Sequence, residues 1–105
     1  MSRKNMLFRF RLHGLDMVEL QHAEVILRRL AREYGLEIEV SKVNEILEIG
    51  RMGIEDVLPV LEINGIVVQK NASLDEKTLR PVFEGLSAII ERERASSGRK
   101  SSRKD

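Results

Sequence analysis

The stretch Val57-Leu58-Pro59-Val60-Leu61-Glu62-Ile63-Asn64-Gly65-Ile66-Val67-Val68-Gln69 decides the fold. Two runs rich in β-branched residues, 57–63 and 66–69, flank Asn64-Gly65. Both central residues of a tight hairpin turn need positive φ, which Asn and Gly accept best, so this segment predicts two antiparallel strands. Pro59 opens the first of them.

Upstream, two more segments alternate with period two and read as strands. Residues 7–12 place Phe8, Phe10 and Leu12 on one face and Leu7, Arg9 and Arg11 on the other. Residues 36–40 turn Leu36, Ile38 and Val40 inward and Glu37 and Glu39 to water. Between them, Leu20, Ala23, Leu27, Leu30, Ala31 and Tyr34 recur at helical spacing over 17–34. Asp16 with Glu19 has capping-box spacing, Arg28, Arg29 and Arg32 complement the helix dipole, and Gly35 is a stop signal. Asn44 is positioned to cap a short helix over 45–50. The last helix covers 74–93 and has two readings of its start. Either Ser73 and Glu76 form a capping box, or Thr78 caps and Pro81 falls in the tolerated first turn.

The order is therefore β-α-β-α-β-β-α. The first two strands, joined through a helix, should be parallel with a right-handed crossover, and the last two antiparallel. The expectation is an α/β fold: a four-stranded mixed sheet flanked by helices on both faces, in one domain over 6–93. Residues 94–105 read as a disordered basic tail: Arg92, Arg94, Arg99, Lys100, Arg103 and Lys104 outnumber Glu91, Glu93 and Asp105 in the last fifteen residues. The chain has 105 residues and a net charge of +1, so the rest is slightly acidic. It has no cysteine, which excludes thiol–disulfide chemistry, a disulfide framework, a thiolate zinc site and an iron–sulfur cluster. No apolar run approaches the roughly 18 residues of a membrane span, and no signal-peptide core follows the N-terminus, so a cytoplasmic protein is the expectation.

The segment from Pro59 to Val68 resembles the P-x-L-x-I-N-G-x-V-V segment of the small redox-active disulfide proteins, a compact thioredoxin-like family of archaea and bacteria. The element order is also that of the thioredoxin fold, over roughly residues 6–91. The resemblance implies a cis peptide before Pro59, beside the family's redox loop. That loop carries Gly-Cys-x-x-Cys between the first strand and first helix, where this chain has Gly14-Leu15-Asp16-Met17-Val18. Leu15 and Val18 stand where the cysteines would be. The chain departs further from the pattern in a Gly53–Pro59 loop one residue longer, in Leu58 before the proline, and in the basic tail.

Leucine and valine cannot serve as nucleophiles, electron carriers or metal ligands. The resemblance thus implies a redox-inactive relative whose groove, formed by Gly14, Leu15, Asp16, Met17, Val18, Leu58 and Pro59, binds a protein or peptide. The plainer alternative packs Leu15, Met17 and Val18 into the core. Self-association through a strand edge or an aliphatic patch, giving a homodimer, is a second form of the binding reading.

Other constellations point elsewhere. Gly50-Arg51-Met52-Gly53 matches the GXXG shape that clamps a nucleic-acid backbone in KH domains, with Arg99 and Lys100 adding charge. Only about one turn separates it from Pro59, too little for the second helix a KH domain needs. His13 and His22 lack the further ligands that a metal requires, and Glu19 with His22 reads as a surface pair. Glu62 lies among apolar neighbours: if buried it needs a partner such as Arg9 or Arg11, and otherwise its face is exposed. No nucleophile, base and orienting group assemble, so neither an enzyme, nor a cofactor, nor a metal is expected.

Overall fold

The computed structural model describes residues 6–103, with side chains described for 6–95. The strands are β1 (Leu7–His13), β2 (Glu37–Val43), β3 (Val60–Ile63) and β4 (Ile66–Lys70). The helices are α1 (Met17–Tyr34), α2 (Ile46–Met52) and α3 (Glu76–Arg103), and a 3₁₀ turn covers Glu55–Val57. The sheet order is β2-β1-β3-β4. β1 pairs parallel with β2 and antiparallel with β3, and β3 pairs antiparallel with β4. The chain is an α/β protein with a four-stranded mixed sheet.

The hairpin turn forms as its dipeptide requires, with φ of 52° at Asn64 and 83° at Gly65. Asn64 also extends the β1–β3 ladder: its N–H donates to the Arg9 carbonyl, and its Oδ1 accepts from the Arg9 N–H, each at 2.8 Å. A bulge falls between Leu61 and Glu62, beside β4.

One face of the sheet holds the main core. Phe8, Phe10 and Leu12 of β1 and Leu61 and Ile63 of β3 meet Leu20, Ala23, Leu27 and Leu30 of α1 and Leu79 and Phe83 of α3. Phe10 stacks on Phe83 with ring centroids 5.4 Å apart, tying β1 to α3. Around this seam Arg80 of α3 reaches Glu33 of α1 at 2.7 Å, and Arg29 of α1 reaches Glu76 of α3 at 2.6 Å. Ile49 and Val60 are fully buried but lie outside that cluster, as does His13. Strand alternation puts Val60 and His13 on the opposite face, at the end of the sheet where α2 connects.

α1 starts at Asp16, whose Oδ1 accepts from the Val18 and Glu19 N–H groups, and stops at Gly35 in the left-handed region. Two expected caps are corrected. Asn44 does not cap α2: its Nδ2 donates to the Gly14 carbonyl, and Glu45 takes the cap position without a side-chain bond. α3 begins after Asp75, whose Oδ1 accepts from the Thr78 N–H at 3.0 Å while the Thr78 hydroxyl accepts from the Asp75 N–H at 3.3 Å. This reciprocal pair replaces both expected starts and leaves Pro81 inside the helix, close enough to its start that one turn precedes it. β3 also begins one residue after Pro59, since residues 55–57 form the 3₁₀ turn rather than strand.

Residues 94–103, read from the sequence as the start of a disordered tail, continue α3, and Lys104 and Asp105 lie outside the described residues. No helix among the described residues is long and apolar enough to cross a membrane.

Candidate functional site

The parallel pairing of β1 with β2 sends both strands out of the same end of the sheet, and the antiparallel β3 enters there. Three connections therefore converge: Gly14–Asp16, Asn44–Glu45 with α2, and the approach to β3 through Leu58 and Pro59. Gly14 joins the first two. Its N–H donates to the Val43 carbonyl, and its carbonyl accepts from Asn44 Nδ2, each at 3.1 Å. Space at Gly14 is tight: a Cβ there would lie 3.0 Å from the Leu20 side chain. The Leu58–Pro59 peptide is cis. The Pro59 and Val57 carbonyls both accept from the Asn71 N–H, at 2.9 and 2.8 Å, which anchors this approach to the end of β4.

Residues 14–18 do not vanish into the core. Leu15 is 54% exposed and Val18 72%, Asp16 is exposed, and Met17 is half-buried against the core. The plainer alternative thus holds for Met17 and fails for the other two. Leu58 and Pro59 are half-buried. α2 adds Ile46, 66% exposed, and Leu47, 73% exposed. Seven residues make two turns, too short to bury more than one side, and Ile49 is the residue buried.

The glycine motif has a different geometry from a loop between two helices. Gly50 lies within α2, Gly53 caps it with a φ of 69°, and a single 3₁₀ turn follows before Pro59. Arg51 is exposed. Arg99 and Lys100 fall on the α3 backbone, with side chains outside the described ones.

Glu62 is buried, 8% exposed, and its partner is neither arginine. His13 Nε2 lies 2.7 Å from Glu62 Oε2, and His13 itself is fully buried. His13 is opposite Val60 in the register, which puts Glu62 diagonally across on the same face. Arg9 instead pairs with Glu39 at 3.1 Å. His13 Nδ1 is buried without a hydrogen-bond partner among the described residues. On its other side Glu62 touches a groove of about 850 Å³ over the sheet face opposite the main core, lined also by Leu7, Arg9, Arg11, Glu39 and Ser41. The sequence offered a signal for one member of this pair: Glu62 interrupts an otherwise apolar strand. Among the described residues no group of three His, Asp or Glu side chains could hold a metal ion.

Compared with known proteins, the chain matches no family model, no curated protein and no solved structure.

Proposed function

We propose that this chain is a redox-inactive thioredoxin-like module that binds a protein or peptide partner at the loop end of its sheet. The observation that carries the reading is the exposure of Leu15, of Val18 in the first turn of α1, and of Ile46 and Leu47 at the start of α2, with the loops before the two helices tied through Gly14. Exposed aliphatic side chains are ordinary when scattered, but a group of them on connections held by a rigid sheet has the character of a binding surface. The element order and the proline segment support the thioredoxin-like part of the reading. The aliphatic residues in place of cysteines support binding without electron transfer.

A photoreactive residue placed at Leu15 tests this in cells. It should crosslink to a discrete partner, whereas the same residue at Val25, somewhat more exposed in the middle of α1, should not. Identical products from both positions, or none from Leu15, would count against the site.

The edge strand favours self-association as a second form of binding. Among the described residues β4 pairs only with β3, and Ile66, Val67 and Val68 are all exposed along it. An apolar edge with unpaired backbone groups is a template for another strand. Light scattering behind size exclusion should show a dimer that Val67→Lys converts to monomer. A monomeric parent protein at high concentration would remove this form.

A further inference from the structure

The chemistry of the partner can be taken further, on the condition that the loop end is the binding site. The segments that build this end, 14–19 and 44–59, carry Asp16, Glu19, Glu45, Glu48, Glu55 and Asp56, with Arg51 the lone cation. Glu19 is half-buried and the others are exposed.

On these segments the carboxylates outnumber the cations six to one. Elsewhere on the molecule several acids are matched, while Glu37, Asp75, Glu84 and Glu91 are in no ion pair among the described residues. Glu24 meets Lys42 and Arg28, Glu33 and Glu76 share Arg80, and Glu39 meets Arg9. No carboxylate at the loop end takes part in an ion pair among the described residues. Asp16 is partly engaged by the α1 N-terminus, as its cap.

Exposed Leu15, Val18, Ile46 and Leu47, carried on the same segments as these carboxylates, make this end complementary to a particular kind of surface. Aliphatic side chains supply burial, and cations relieve the mutual repulsion of the carboxylates and steer the encounter. The same field disfavours polyanions, so it opposes nucleic acid and anionic membrane here. We propose that the partner is a polypeptide segment carrying aliphatic side chains beside lysine or arginine.

Fluorescence anisotropy of the full chain with three labelled peptides of equal length tests the proposal: alternating leucine and lysine, leucine and glutamate, and serine and lysine. The leucine–lysine peptide should bind most tightly, and its affinity should fall as salt rises. Leu15→Ser with Leu47→Ser, and separately Glu45→Lys with Asp56→Lys, should each weaken it by about tenfold or more. Glu37→Lys, at the opposite end of β2, should change it by less than about twofold. All these positions are exposed, and circular dichroism of each variant verifies that it is folded.

The unfavourable outcomes separate. Equal binding of the leucine–glutamate peptide, or no binding of the leucine–lysine peptide at low salt, overturns the basic partner. In the first case the apolar site stands if binding still needs Leu15 and Leu47. Equal binding of the serine–lysine peptide overturns the aliphatic component. Binding indifferent to the leucine substitutions overturns the site itself.

Discussion

At the scale of single residues, Glu62 and His13 form the pairing that local reasoning misses. Arg9 and Arg11 are the nearest cations along the sheet face, yet both extend into water, where a guanidinium loses nothing. The short, rigid imidazole at the inner end of β1 stays with the carboxylate instead. Removing one partner strands the other in the interior. Glu62→Ala should therefore destabilise the fold by about 2–3 kcal/mol. The double variant His13→Leu with Glu62→Leu should cost less than the sum of the two single changes, because no buried polar atom is left alone. Urea denaturation measures all of these, and strict additivity would show that the two side chains act independently. Leu15 and Val18 give a second test at this scale. Leu15→Cys with Val18→Cys should form a disulfide under mild oxidation, read as the loss of two hydrogens by mass spectrometry. Two persistently free thiols would show that these positions do not match those of a redox loop.

At the scale of elements, backbone conformation decides what Gly65 and Gly85 do. Gly65 needs its φ of 83° for the hairpin turn, although a Cβ there would meet nothing within 4 Å. Gly85 lies inside α3, also with open space around a Cβ, but in ordinary helical conformation. The same substitution should have opposite signs: Gly65→Ala destabilising by about 1 kcal/mol and Gly85→Ala stabilising by up to about 1 kcal/mol. Thermal melts of the two variants decide this, and shifts of the same sign would contradict it. Much of this level was legible in advance. The Asn-Gly hairpin, the Asp16 cap and the alternation of β1 and β2 are encoded within a few neighbouring residues. The start of α3 was not, because Ser73, Asp75 and Thr78 all offer capping groups. The competition among them is settled by which geometry also lets Leu79 and Phe83 reach the core.

At the scale of the whole molecule, ion pairs bridge elements remote in sequence and make stability depend on pH. Hydrogen bonds from Lys42, then Arg28, lower the pKa of Glu24; bonds from Arg80 lower those of Glu33 and Glu76. The Thr78 N–H does the same for Asp75. Each folded-state value lies below the ordinary one, 4.5 for glutamate, so the stabilisation is fully present above that pH. It is lost as the pH falls through the folded-state values. The melting temperature should hold steady from neutral pH to about pH 5 and then decline. Arg80→Gln should change it little at neutral pH, since exposed pairs contribute modestly, and should make the acid decline shallower. An unchanged decline would place the acid sensitivity elsewhere.

The order of elements, the mixed sheet, the hairpin, the first helix and the exclusion of thiol chemistry were determined by the sequence itself, through periodicity, turn chemistry and composition that act between near neighbours. Tertiary structure alone decided which of the apolar residues at element ends stay in water. Leu15, Val18, Ile46 and Leu47 have the same transfer free energy as core residues, and nothing local tells them apart. They remain exposed because parallel β1 and β2 and antiparallel β3 bring three connections to one end of the sheet, where the main core does not reach and the two turns of α2 bury only Ile49. The His13–Glu62 contact has the same origin, since its two residues are 49 positions apart and meet only through the register of β1 against β3.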